Sequence, residues 1–360
     1  MRARISELTE LTDRDIALWR DLAARAVEPN VFFEPSFVLA ARGGLGARGV
    51  GLLIVEDGDS WSACLPVYRA AHWRKLPVPV LATWRHKYAF LGTPLIEADG
   101  AEAALRLLVE HGRREATGLL ALDWVGADGP VWSTLEDLLG RRGAEGVRFE
   151  RMERAALVRR PEPTYLDEMR PHRRRELNRQ ARGLERELSG PLMLRERAEE
   201  PGAYDDFLRL EASGWKGRNG TALACDPGHA SFFRTLCGGY ARIGRLQLLD
   251  LSVDGRTVAM KCNLVAGGVV FCFKIAYDER YAAYSPGLQL ERWTVDTFHA
   301  RTEADAMDSC ADPHNDMINR LWPDRRSIAT LLLPAEGVFG WLSGHSAQAA
   351  ATVHSRARSA

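Results

Sequence analysis

Three apolar runs in the second half of the chain, "RLQLLDLSV", "TVAMKCNLVA" and "VVFCFKIAYD", are separated by Asp254-Gly255 and Gly267-Gly268. Asp-Gly and Gly-Gly between β-patterned runs predict two-residue hairpin turns, because the favoured turn needs a positive φ at both central positions. A chain with two such turns in succession is committed to a three-stranded antiparallel meander. The next stretch, "AYSPGLQLE", leads from the third strand straight into the helical pattern "LQLERWTVDTFHA". A strand that turns through Pro-Gly into a helix leaves backbone N–H groups unpaired at the helix's positive end. That end reads either as a seat for a phosphate or as a plain turn with Pro at the first helical position.

Before the meander the pattern gives two helices, "PGAYDDFLRLEASGW" and "HASFFRTLCGGYARIG"; after it come a helix, a short strand "DAMDSCA", a helix "NDMINRLW" and a strand "SIATLLL". The first half reads as a separate mixed α/β unit, with strands "VGLLIVED", "WSACLPVYRA" and "GLLALDWV" and helices near 13–26, 101–116 and 131–142. At 360 residues the chain exceeds one ordinary core. We therefore expect a first domain over 1–158, a second over 159–335 and a tail over 336–360, with the boundary in the Pro-containing stretch near 158–163. The tail, "SGHSAQAAATVHSRARSA" at its end, is small and polar and is expected to fray.

Charge excludes whole classes of partner. The 48 basic residues are balanced by 48 acidic ones, so no global field favours nucleic acid or an anionic membrane. One helix, about 171–188, is locally basic, with Arg173, Arg174, Arg175, Arg179, Arg182 and Arg186; it lacks interleaved aromatics and reads as a solvated face, not a nucleic-acid surface. The 6 cysteines form no C-x-x-C pair, so neither a metal site nor a disulfide framework is indicated. No apolar run is long enough to span a bilayer and the first residues lack a signal-peptide pattern, so a cytoplasmic protein is expected.

With two-residue turns, Ala266 faces Val269 and Val253 faces Arg256, and strand alternation follows. One face of the meander is apolar; the other carries Asp250, Lys261, Asn263, Cys272, Lys274 and Asp278. This register sets Lys261 directly opposite Lys274. Like charges so placed repel. Either Asp250 or Asp278 neutralises them or their heads reach solvent, or an anionic ligand group sits between them, or one has a lowered pKa and serves as a base.

The order of elements, with "NVFFEPSFVLAA" at 30–41, "RRRELNRQARGLERE" at 173–187, "LEASGWKGRNGTAL" at 210–223, "GRTVAMKCNL" at 255–264 and "YDERYAAYSPGLQLE" at 277–291, resembles the GNAT (Gcn5-related N-acetyltransferase) superfamily. The nearer likeness is to its two-domain bacterial branch related to the cellulose-biosynthesis protein CelD. The resemblance implies two tandem GNAT-like domains, each a mixed, mostly antiparallel sheet flanked by helices. It implies acetyl-CoA or a longer acyl-CoA as donor, bound where the fourth and fifth strands of the second domain splay, and an amine on a small molecule or sugar as acceptor, in polysaccharide, envelope or small-metabolite biosynthesis. The first domain would hold no cofactor and would shape the acceptor side.

The same resemblance names residues. Tyr277, Tyr284, Ser285, Gly287, Leu288 and Gln289 stand where such proteins hold the cofactor, although the usual loop carries more glycines and Pro286 removes a donor. Trp215, Lys216, Glu211 and Asn263 would border the substrate. The Trp215-Lys216 pair otherwise reads as a core anchor and a solvated cap, and Glu211 as its ion partner. Asp308 or His314 would take the proton from the amine, with Lys274 and Lys261 as the further candidates; Asp312-Pro313 and Asn315 equally suggest a turn and a helix cap. Two rival readings share the fold: a Fem-type transferase using aminoacyl-tRNA, whose long helical hairpin has no counterpart here, and a scaffold that keeps the fold without turnover.

Overall fold

The computed structural model describes residues 1–142, 146–160, 169, 171–301 and 304–359. The chain divides into two units, one of Met1–Val38, Ala47–Arg154 and Arg325–Ala360, the other of Leu39–Gly46 and Ala155–Asp324. The linear division near 158–163 thus differs from the packing, because residues 325–360 return to the first unit; residues 161–163 of the expected linker lie outside the described residues.

In the first unit the sheet runs β1 (Arg2–Glu7), β2 (Val50–Asp57), β3 (Ser60–Ala70), β4 (Val80–Thr83), β6 (Leu119–Gly126) and β13 (Asp324–Pro334), with β5 (Leu95–Ile96) beside β3. The flanking helices are α1 (Asp13–Ala24), α3 (Ala101–Glu115), α4 (Pro130–Arg142) and α11 (Val338–Ser359), while α2 (Pro35–Leu45) begins here and from Leu39 on is counted with the second unit. α1 starts where it does because Thr12 and Asp15 cap each other's backbone N–H groups. The expected frayed tail is instead α11, and its buried side is made of small residues: Ala347 and Ala351 pack with Val80, Leu119, Val147 and Leu332. A Cβ at Gly344 would lie 2.7 Å from the Pro334 ring, so small size is what lets the helix approach.

The second unit runs from the end of β7 (Val147–Val158) through β12 (Ala306–Asp308), β11 (Val269–Tyr277), β10 (Arg256–Ala266) and β9 (Leu246–Val253) to β8 (Leu192–Glu196). Its helices are α5 (Pro171–Leu188), α6 (Gly202–Ser213), α7 (Trp215–Arg218), α8 (Pro227–Ala241), α9 (Pro286–Arg301) and α10 (Asp316–Leu321). Asp226 caps α8 ahead of Pro227 at its first position. Each unit is thus a mostly antiparallel sheet with one parallel pair, β4 with β6 and β11 with β12, flanked by helices.

Both predicted hairpins form, with Asp254, Gly255, Gly267 and Gly268 at φ 46, 74, 49 and 75°. Ala266 faces Val269 and Arg256 faces Val253. The strands between them do not alternate as expected, because bulges interrupt the register between Thr257 and Ala259 and between Cys262 and Asn263. The second inserts Phe273 unpaired between Cys272 and Lys274. Lys274 therefore stands opposite Cys262, while Lys261 stands opposite Ile275. The two lysines do not face each other, and no like-charge contact needs relief.

Candidate active site

The second unit's parallel pair is short. β12 meets β11 at Val269/Ala306, Val270/Met307 and Phe271/Asp308 and then ends, whereas β11 continues to Tyr277. Beyond Phe271 that edge of β11 has no partner strand among the described residues. The bulge at Phe273 falls in this unpaired stretch, where it also interrupts pairing with β10. A short parallel pair that opens beside a bulged strand presents main-chain donors to whatever enters the gap.

Three expected substrate residues converge on the far end of that stretch. Glu211, Trp215, Lys216, Ile275, Tyr277 and Glu279 line one small cavity. Lys216 Nζ donates to Glu211 Oε1 at 3.0 Å and to the Ile275 carbonyl at 3.2 Å, while Glu211 Oε2 accepts the Leu223 N–H at 2.8 Å. Lys216 thereby caps a carbonyl of the open strand, and Glu211, buried, holds it there. Trp215 is 49% exposed and its N–H donates to Glu279 Oε1.

The helix after β11 begins at Ser285, which sits in the left-handed region at φ 52°. Its carbonyl accepts the N–H groups of both Leu288 and Gln289. Since Pro286 has no N–H, two of the expected phosphate donors are committed inside the helix start, which leaves the Gly287 N–H. The Gln289 side chain is buried and Nε2 donates to the Leu177 carbonyl at 3.0 Å, so it ties α9 to α5. Leu288 packs in the core, and the Tyr284 ring covers Gly183 of α5. Tyr277 lies against Gly287, where a Cβ would meet its ring at 3.4 Å. Of the six expected cofactor contacts, Tyr277, Ser285 and Gly287 border the strand-to-helix turn, and Tyr284, Leu288 and Gln289 are packing residues.

Between the turn and the closed end of the parallel pair lies a buried polar cluster. Lys261, 2% exposed, donates to Glu291 Oε2 at 2.7 Å and stands 5.3 Å from the Trp322 ring centroid. Burial alone would lower its pKa, but Cys272 and Glu291 outweigh it and hold the ammonium above its ordinary value. Lys261 is therefore a paired cation and not the lowered-pKa base considered above. Its neutraliser is Glu291, since Asp250 is taken by Arg197 and Thr257 and Asp278 by Arg280. Glu291 was legible as an anomaly: it falls on the apolar helical stripe Leu288, Val295, Phe298. Burial pushes the Cys272 thiol up to about 12, with Lys261 opposing it, so this thiol is inert at neutral pH.

Asp308, 1% exposed, ends β12 where the strands part, and its Oδ1 accepts the Cys310 N–H at 3.0 Å. Asn263 is buried and donates to Gln247 Oε1 at 3.2 Å. His314 is exposed in the turn before α10, its backbone N–H bonded to Asp312 Oδ1, while Asn315 caps the helix by accepting the Ile318 N–H. Lys274 is half-buried on the strand face shared with Cys262.

The meander, the opening parallel pair and the strand-to-helix turn follow one another in a mixed α/β, GNAT-like arrangement. Residues 171–313 match the family model described as acetyltransferase (GNAT) domain. No protein of curated function matches the chain in sequence. Among solved structures, the chain is similar to FemX at 10% identity, over 91% of this chain and 97% of that one, with a TM-score of 0.59. It is similar to a conserved protein of unknown function from Bacteroides thetaiotaomicron at 14% identity, over 90% and 98%, with a TM-score of 0.55. The C-terminal domain of a putative lysylphosphatidylglycerol synthetase from Agrobacterium fabrum aligns at 12% identity over 92% and 95%, with a TM-score of 0.52. At these identities the likeness is one of fold. Among the described residues no helix is long and apolar enough to cross a membrane, and no group of His, Cys, Asp and Glu could hold a metal ion.

Proposed function

We propose that the chain is an N-acyltransferase of the CelD-like branch, moving an acyl group from acetyl-CoA or a longer acyl-CoA to the amine of a small molecule or sugar in the cytoplasm. The observation that carries this reading is the opening of β11 from β12 after Phe271 and Asp308, with the bulge at Phe273 inside it. Main-chain N–H groups along 272–277 would bind the thioester oxygen as charge develops on it. The Gly287 N–H and the positive end of α9 would meet a phosphate. Asp308 is our candidate to accept the amine's proton, because it is buried at the point of parting. The free amine then attacks the thioester carbonyl and the thiol of CoA leaves. Attack is direct in this scheme, since the raised pKa of Cys272 argues against a covalent cysteine step.

Calorimetry with acetyl-CoA and longer acyl-CoAs tests the reading. Micromolar binding to one of them is expected, and no binding to any would overturn it. An Asp308→Asn variant that still binds the donor should lose about 100-fold or more in transfer rate. A second reading, Fem-type transfer from aminoacyl-tRNA, is favoured by one feature, a groove at the end of α5 lined by Arg179, Arg182 and Arg186. Salt-dependent tRNA binding together with silence toward acyl-CoA would replace the first reading by the second.

A further inference from the structure

A cavity with both polar and apolar walls lies in the second unit, not at the opening of the strands but at their closed end. This cavity of about 430 Å³, a size typical of a small-molecule site, is lined by residues of β8, β9, β11 and β12 and by Trp293, Thr294, Asp296, Thr297 and Phe298 of α9. Its apolar walls include Leu194, Leu249, Trp293, Phe298 and Met307. Met307 and Val270, paired across the parallel strands, form its floor beside the last turns of the helix.

The polar groups in this lining are mainly acceptors. Asp296 lines the cavity half-buried, and among the described residues it makes no hydrogen bond or ion pair. Arg292, one turn earlier, donates instead to Asn178 at 2.6 Å. Glu196 lines the same space with Oε1 held by the Leu248 and Ala198 N–H groups, and Gln247 adds a carboxamide oxygen, already taken by Asn263. The cation in the lining, Arg195, is directed to Asp250 at 3.6 Å. A half-buried carboxylate to which no cation among the described residues is hydrogen-bonded or ion-paired, above aromatic and aliphatic walls, is complementary to an ammonium group on an apolar body.

We propose that this cavity is a binding site for a primary amine carrying an aromatic or aliphatic body, with Asp296 as its counter-ion and Trp293, Phe298 and Met307 around the body. Burial raises the Asp296 pKa, with Arg292 opposing, so an arriving ammonium would draw that value down again. The site stands independently of acyl transfer, because it is argued from its own walls and not from the strand opening.

Calorimetry and Trp293 fluorescence with phenethylamine test it on the intact chain, with phenylacetate as the charge-reversed control. Saturable binding of phenethylamine, and none of phenylacetate at the same concentrations, is expected. Asp296→Asn should weaken phenethylamine at least tenfold, and Met307→Trp should abolish binding by filling the floor. Equal affinity for the two probes, no saturable binding, or unchanged affinity in a folded Asp296→Asn protein overturns the proposal. The comparison of the two probes on the unaltered protein decides the matter even where a variant fails to fold. Acetyl-CoA titrated in parallel keeps the outcomes separate: phenethylamine bound without acetyl-CoA removes the acyltransferase reading alone, and the reverse removes this one alone.

Discussion

Lys261 and Glu291 are a buried ion pair whose members are 2 and 5% exposed at their side chains. Removing one partner from such a pair costs more than the pair contributes, because the survivor is left as an uncompensated buried charge. Lys261→Met should therefore destabilise the protein by roughly 3–5 kcal/mol, and Lys261→Met with Glu291→Leu should recover most of that. Denaturant midpoints of the two single variants and the double variant check it, and additive losses would mean that the charges are not coupled. A second residue makes the first unit acid-sensitive. Burial first, and Arg85 next, lower the His86 pKa to about 4. The unfolded chain takes up that proton near pH 6.5, so the histidine's contribution is complete above that value and is lost as pH falls toward 4. His86→Phe, which keeps a ring stacked on Phe37, should flatten the stability profile between pH 6.5 and 5. An unchanged slope would assign the acid sensitivity to other groups.

Elements were legible where local chemistry marks them. Asp254-Gly255 and Gly267-Gly268 announced both hairpins because a positive φ at successive residues narrows composition to such pairs. The bulge at Phe273 left no such mark, since an extra aromatic in a strand looks like any other strand residue, and the expected lysine pair failed for that reason. β1 and α2 were not anticipated, β1 because Arg2, Arg4, Ser6 and Glu7 among its six residues leave only Ala3 and Ile5 as an apolar signal. α11 was misread because Ser343, Ala347 and Ala351, four residues apart, carry little hydrophobicity, although their small size is what the contact with β13 needs. A chain ending at residue 342 should accordingly lose stability on the order of a few kcal/mol through lost burial, seen as a lower thermal midpoint. A truncated protein as stable as the full chain would return the segment to the status of a tail. At the start of α9, Ser285 holds φ 52°, so Ser285→Gly should stabilise by about 1 kcal/mol, provided the turn keeps its shape.

At the scale of the whole chain the same construction occurs twice, with different outcomes. Each unit has a meander, a helix and a strand returning parallel, with three register pairs in each parallel ladder. In the second unit the ladder opens onto an unpartnered edge. In the first, the chain itself closes the corresponding place. Thr83 Oγ1 donates to the Ala121 carbonyl and accepts the Asp123 N–H, both at 3.2 Å. The Gly92 N–H donates to the Trp124 carbonyl at 2.8 Å, Thr93 Oγ1 accepts the Gly126 N–H at 2.8 Å, and a Cβ at Gly92 would lie 1.9 Å from the Asp123 carbonyl oxygen. The Ala121 carbonyl and Asp123 N–H are spent on Thr83, and the Trp124 carbonyl and Gly126 N–H on the segment 92–93, so no pantetheine-sized chain could lie along that edge without displacing these contacts. We propose on this ground that a donor binds in the second unit and not along this edge. It predicts one acyl-CoA per chain in calorimetry. Hydrogen–deuterium exchange should show acetyl-CoA protecting amides at 272–277 and 287 while those at 83–93 and 121–126 exchange at the same rate with and without it. Two bound donors, or protection at 83–93, would mean that the Thr83 and Gly92 contacts open in solution and that the two units share the binding role.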